Sequence, residues 1–199
     1  MDRSVCWITG RTAFLSADGQ LVSISGKPAS YGSWLIAKGL YNSKMLGYLQ
    51  QENIFWRRNL MVEVGGLNLN YKFAADFELW MRFERKTSLN LVNRPLAAFR
   101  LRPGEQRSSL FAKEYEDEVM EALAGPVIKL YKLLPKNRIL SALLRSLIYW
   151  RSPMYAFSRS HGRWIKVYSW RSLSRATLSD LFINYKIEKK ISSFITDKK

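Results

Sequence analysis

Residues 75–86, ADFELWMRFERK, form a helical pattern that constrains everything packed around it. Leu79, Trp80 and Phe83 fall at helical spacing, and Glu78 and Arg82 stand four residues apart, where an acid and a base pair along a helix. Upstream, Gly65-Gly66 closes the preceding helical run at the point where a left-handed residue is wanted. The odd member is Asp76, which follows two small apolar residues on a face its neighbours use for burial. A buried carboxylate is costly, so it gains a hydrogen-bond partner or shifts its pKa. Two readings stand: an N-terminal helix cap, or a working group in a cleft.

Around this helix the chain reads as mixed α/β. SVCWITGRTAFLSADGQLVSI carries two short apolar runs about the turn signal Ala17-Asp18-Gly19-Gln20, which predicts two strands or a hairpin. Residues 26–34 are rich in Gly, Ser and Pro and predict a loop, and 35–48 a mixed helical stretch. A short strand or turn and a helix follow over 49–66. Leu89–Asn93 and Leu96–Leu101 read as strand fragments about Pro95. Beyond Ser108 the pattern turns helical. Ser108 or Ser109 caps a helix to Leu123, Gly125-Pro126 stops it, and another run reaches Pro135. A third helix, 139–150, has Ile139, Leu140, Leu143, Leu144, Leu147 and Ile148 on one face, with Arg138, Ser141 and Arg145 opposite.

Of 199 residues 47% are apolar and 14% aromatic, which supports a packed core and argues against disorder. Length suits one domain with an appendage. The single cysteine, Cys6, makes no internal disulfide and reads as a small core residue. No charged-then-apolar leader opens the chain, and the apolar run 139–150 is too short to span a bilayer. Charge is uneven. Residues 1–124 hold 16 Lys and Arg against 13 acids, a net of +3, and residues 125–199 hold 16 against 3, a net of +13. The C-terminal region therefore expects an anionic partner surface.

Four segments in order, WITG (7–10), LQQENIFWRR (49–58), VGGLNLNYKFAADFELWMRF (64–83) and LAAFRLRPGEQRSS (96–109), resemble family 2 glycosyltransferases of the GT-A fold, the bacterial enzymes that build surface polysaccharides. The resemblance covers roughly residues 5–110. It implies an α/β chain, a partial GT-A-like fold of few short strands plus helices over 1–124, followed by a mainly α-helical, basic C-terminal region over 125–199. It also implies transfer of a sugar from a nucleotide-diphosphate sugar to a hydroxyl of a lipid-linked or polysaccharide acceptor, with inversion. Asp76 stands where the family has its general base, with Ala75 where many members carry Glu. A helix N-terminus lowers such a carboxylate's pKa and a dry cleft raises it.

For the remaining site residues the resemblance implies roles that simpler readings rival. Gln51, Trp56, Arg57, Gly65, Gly66, Glu78 and Trp80 are expected to bind substrate. Trp56 forms a sugar-stacking wall or is a core aromatic; Trp80 shields the acid or only packs; Gly65-Gly66 approaches a diphosphate or only ends a helix. One of Arg57 and Arg58 is expected to be a solvated charge. Arg102 replaces a histidine common in the family and, being unable to ligate a metal, is expected to bind the diphosphate. His161, the sole histidine, reads as a surface residue.

A divalent metal, Mg or Mn, is expected in the intact enzyme, with ligands outside this chain. The family's nucleotide-binding half, with its Asp-x-Asp, precedes the WITG segment, and only six residues do so here, too few for three βαβ units of about 30 residues each. The reading is thus an acceptor-side part, peripheral at the cytoplasmic face of the cell membrane, meeting anionic lipid through its basic helices. Two rivals stand beside it: a non-catalytic basic module that grips an anionic surface, membrane or nucleic acid, through interleaved aromatics and cations, and a degenerate remnant without activity. The acceptor-side reading predicts that residues 1–199 alone transfer no sugar when assayed against nucleotide sugars; robust turnover overturns it.

Overall fold

The computed structural model describes residues 4–25, 31–102, 104–105, 110–133 and 153–168. Short apolar runs cut by Gly, Pro and polar turns yield strands of only a few residues. They are β1 (Trp7–Thr9), β2 (Ala13–Leu15), β3 (Leu21–Ile24), β4 (Ile54–Trp56), β5 (Asn90–Val92), β6 (Phe99–Arg100), β7 (Pro153–Ser158) and β8 (Arg163–Tyr168). The helices are α1 (Ser33–Ala37), α2 (Arg58–Glu63), α3 (Ala75–Lys86), α4 (Ala112–Ala122) and α5 (Gly125–Leu133). The described chain is mixed α/β.

Two sheets form. The larger has the order β4-β1-β5-β7-β8, with β1 antiparallel to β4 and parallel to β5, and β5 parallel to β7. The smaller is β3-β2-β6, with β2 and β3 joined as the expected hairpin about Asp18-Gly19. The core joins Phe77, Leu79, Trp80, Met81 and Phe83 of α3 to Ile36, Leu40, Tyr41, Met45, Leu46 and Leu49 of the 36–49 segment, with Trp7, Leu60, Val119 and Leu123 packed among them. Trp7 stacks on Trp80 at 5.8 Å between ring centroids and meets Phe83 edge-on at 5.4 Å.

The glycine of WITG has a packing reason. A Cβ on Gly10 would run into the Arg94 carbonyl and come within 2.8 Å of Leu96 Cγ, so the β1 exit can lie against the 94–96 turn only without a side chain. Asn53, in a 3-10 turn (Gln51–Asn53), locks the same junction. Fully buried, it donates to the Arg11 carbonyl at 3.1 Å and accepts from the Leu96 and Ala97 N–H groups at 3.1 Å each.

Several expectations need correction. The helix expected within 35–48 is the short α1, after which Gly39, at φ +70°, turns the chain; a Cβ there would lie 2.5 Å from Leu123 and 2.9 Å from Phe77. Gly125-Pro126 opens α5 rather than merely stopping α4, because Pro in a first turn gives up an N–H that has no helical partner. Cys6 is half-buried, its thiol directed at the Ser4 carbonyl. Residues 153–168, expected within a mainly helical region, are a β-hairpin whose first strand joins β5. Alternating Met154, Ala156 and Tyr155, Phe157 suit a strand with two unlike faces. The caps at Ser108 and Ser109 and the amphipathic helix 139–150 lie outside the described residues. Among those described, no helix is long and apolar enough to cross a membrane.

Asn53→Ala strips three hydrogen bonds and leaves buried backbone groups unpaired, so it should cost about 3 kcal/mol, read as a lowered urea midpoint with unchanged slope.

Candidate active site

Asp76 is not the cap of α3. Ala74 holds the N-cap position without a side-chain cap, and Asp76 is the second helical residue. The anion at this terminus comes from α4 instead. Glu118 accepts from the Lys72 N–H at 2.9 Å with one oxygen, and from the Phe73 and Ala74 N–H groups at 2.8 and 2.7 Å with the other. Burial is the largest single influence and raises its pKa, but these three donors and the Lys72 ammonium together outweigh it and hold Glu118 below the usual carboxylate range.

Asp76 accepts a 2.7 Å hydrogen bond from the Phe77 N–H. Its side chain is half-buried. Burial dominates and raises its pKa; the Phe77 N–H and its own N–H oppose, and the negative charge of Glu52 adds to the rise. The result is pushed up to about 6. Of the two opposed effects, desolvation wins over the helix terminus. A carboxylate with such a pKa is ionised at pH 7 yet basic enough to accept a proton, as a general base needs.

Two further groups meet Asp76 electrostatically. Glu52, in the 3-10 turn before β4, is one. Tyr48 is the other: burial raises its phenol pKa, a hydrogen bond with Ser43 opposes, and the charges of Glu116 and Asp76 raise it further. Tyr48 also packs edge-on against Tyr115 of α4 at 5.5 Å, while Glu116 is held by Ser43 at 3.3 Å and Lys44 at 3.5 Å. The site is therefore built from α3, α4 and the 43–52 segment. Tyr48 and Glu52 had no sequence signal beyond Glu52 lying inside the LQQENIFWRR stretch, where Gln51 was the expected residue; Gln51 is exposed beside it.

The other expected residues are accounted for mostly by the fold. Glu78 accepts from Arg82 with both oxygens at 2.7–2.9 Å, and Arg82 also donates to the Val64 and Gly66 carbonyls at 2.6 and 2.8 Å. This fork clips the Gly65-Gly66 turn to α3. Both glycines have φ near +80° and open space where a Cβ would be, the signature of a helix stop rather than a crowded approach. Arg57 and Arg58 are both exposed, and Arg57 commits its Nε to the Val5 carbonyl at 2.8 Å.

Trp80, four residues after Asp76, is 3% exposed and packs; its buried N–H has no acceptor among the described residues. Trp56 is 39% exposed, with its inner side against Trp80 and Phe83 and the rest open to solvent. Arg102 is exposed in the turn after β6, in the smaller sheet. His161 is exposed, as expected. Among the described residues no three His, Cys, Asp or Glu side chains lie together as a metal site needs, so no metal chemistry is assigned to them.

No protein-family model matches the chain, and no curated protein matches its sequence.

The raised pKa has a thermodynamic consequence. Asp76 binds its proton more tightly folded (about 6) than unfolded (3.8), so its ionisation costs stability progressively as pH rises from about 4 to 6 and in full above that. Asp76→Asn keeps the acceptor for Phe77 and removes the charge. At pH 7.5 the variant should be more stable on the order of 2 kcal/mol, taking about 1.4 kcal/mol per pKa unit and discounting for partial exposure. The gain should vanish towards pH 4 in urea titrations. A variant that loses stability at pH 7.5 would make Asp76 a structural helix-terminal anion.

Proposed function

We propose that this chain is the acceptor-side part of a GT-A-like, inverting glycosyltransferase that moves a sugar from a nucleotide-diphosphate sugar to a hydroxyl of a lipid-linked or polysaccharide acceptor. One observation carries the reading. The acid that falls at the general-base position of the resemblance is neither the N-cap nor, among the described residues, an ion-pair partner, but a half-buried carboxylate with a pKa of about 6. Glu118 supplies the anion for the Lys72, Phe73 and Ala74 N–H groups, so the structural share of Asp76 at that terminus is its hydrogen bond from the Phe77 N–H.

In this mechanism Asp76 removes the proton from the attacking acceptor hydroxyl. The new C–O bond forms at the anomeric carbon on the face opposite the diphosphate, and the bond to the diphosphate breaks with its electron pair leaving on that group. Desolvation keeps Asp76 basic, with the charge of Glu52 adding to it, and the Tyr48 phenol, near enough to feel the Asp76 charge, would help orient the hydroxyl. The open side of Trp56 suits a sugar ring, because aromatic faces pack against apolar C–H surfaces. The nucleotide, and the divalent metal the resemblance implies, fall to a nucleotide-binding half supplied as part of the same polypeptide or as a partner.

The test joins residues 1–199 to a nucleotide-binding half and measures transfer from labelled nucleotide sugars. Asp76→Asn should lower kcat by about 10²–10⁴-fold with donor KM unchanged, the range of general-base catalysis. Activity within a few-fold of the parent refutes the assignment. In the active parent, kcat/KM should rise with pH through about 6. Glu52→Gln removes a charge that raises the Asp76 pKa and should move that limb to lower pH.

A further inference from the structure

The β7–β8 hairpin carries two exposed rings on one face and a basic tip, and neither feature serves the Asp76 site. Phe157 and Trp164 are cross-strand partners 44% and 40% exposed, meeting edge-on at 5.7 Å. Tyr155 and Lys166, the next pair but one, lie on that same face because side chains alternate along a strand. The opposite face turns inward, with Met154 buried. At the tip, Ser158 and Ser160 hydroxyls lie 2.9 and 3.0 Å from His161 Nδ1 and Gly162 takes φ +59°, closing a tight turn with exposed Arg159 and Arg163 on either side. None of the ion pairs among the described residues involves Arg159, Arg163 or Lys166.

The surrounding sequence decides what such a face can meet. From residue 122 to 179 there are 11 Lys and Arg and not one Asp or Glu. A run of this kind has no acid to pair its cations internally, so its complement is an anionic surface.

We propose that the β7–β8 hairpin docks on an anionic lipid surface, with the Phe157–Trp164 pair entering the headgroup layer and Arg159, Arg163 and Lys166 meeting lipid phosphates. Lipid fits better than nucleic acid. Each ring spends contact area on the other in an edge-on pair, whereas base stacking needs open ring faces. A Trp and a Tyr beside cations on one face match the amphipathic belt that settles at headgroup depth. This inference stands whether or not Asp76 transfers protons in a sugar transfer.

The test is flotation of the full chain with vesicles of phosphatidylcholine alone and of phosphatidylcholine with 30% phosphatidylglycerol. Binding is expected only to the second and should weaken sharply between 0.1 and 0.5 M salt. Arg159→Gln with Arg163→Gln should weaken it about 30-fold, from about 1 kcal/mol per cation near an anionic leaflet and tenfold per 1.4 kcal/mol. Phe157→Ser with Trp164→Ser should also weaken binding.

Because the ring substitutions can unsettle the hairpin, a second measurement leaves it intact. Ser160→Cys in a Cys6→Ser background, labelled with an environment-sensitive fluorophore, should shift to the blue on the phosphatidylglycerol vesicles and not on phosphatidylcholine. Three results would overturn the proposal: no vesicle binding at low salt; binding untouched by both double variants with a silent fluorophore, which places the contact elsewhere in the basic run; or a fluorophore that responds to a 20-nucleotide single strand and ignores vesicles.

Discussion

Helix α3 is held at both ends by groups distant in sequence, and the environment of Asp76 exists because of that. At the N-terminus the Glu118 carboxylate gathers three consecutive N–H groups, from Lys72 to Ala74. At the C-terminus the Trp7 indole donates to the Thr87 carbonyl at 2.8 Å while its ring packs on Trp80 and Phe83. Between them the Arg82 guanidinium ties Glu78 to the Gly65-Gly66 turn. Hydrogen bonds to a charged group contribute about 1.5–3 kcal/mol each, so the Glu118 contacts alone outweigh an ordinary cap. With the Lys72 to Ala74 groups satisfied from α4, Asp76 answers for the first-turn Phe77 N–H.

The carboxylates around this helix are sorted by solvent and donors rather than by sequence position. Glu118 sits near water with three N–H donors and is lowered. Asp76 is drier, with its own helix's N–H groups as partners, and rises to about 6. Glu84, on α3 and buried, is driven by desolvation up to about 7, against hydrogen bonds from Ser33, the Leu89 N–H and Ser88. The first contributes stability that is present above the unfolded carboxylate pKa and is lost as pH falls through its lowered folded value. The other two act oppositely, their cost growing as pH rises through 4 to 7. One helix thus carries both an acid-labile anchor and two acids whose ionisation works against the fold.

What could be seen in the sequence follows from how local each feature is. The bounds of α3, the Glu78–Arg82 pair and the Gly65-Gly66 stop depend on residues within a few positions of one another, and all three stand as expected. The β2–β3 hairpin is local in the same sense. Glu118 was hidden because its partners lie some 45 positions upstream, and the dryness of Asp76 because it depends on how α3, α4 and the 43–52 segment pack. Tyr48 and Glu52 join the site through that packing alone. The strand character of β7–β8 is hidden in the sequence for another reason. Interleaved aromatics and cations weakly resemble a basic amphipathic helix, and only pairing with β5 tips them to strands.

That pairing ties the basic surface to the site by a short mechanical path. β5 begins four residues after α3 ends, and β7 is bonded directly to it, with the Asn93 N–H donating to the Tyr155 carbonyl at 2.9 Å. Tyr155 is on the face that carries the exposed rings. A chain held at an anionic surface by this hairpin is therefore held through one strand to the end of α3, the helix on which Asp76 stands. Hydrogen-bonded strands and a helix locked at both ends transmit orientation with little slack, because interiors are close-packed. If Asp76 is the general base proposed above, docking of β7–β8 would fix the direction in which it meets an acceptor hydroxyl, whereas a flexible tether would fix only its distance. For an acceptor anchored in the same lipid surface, that orientation is the part of the entropy cost which loose tethering leaves unmet.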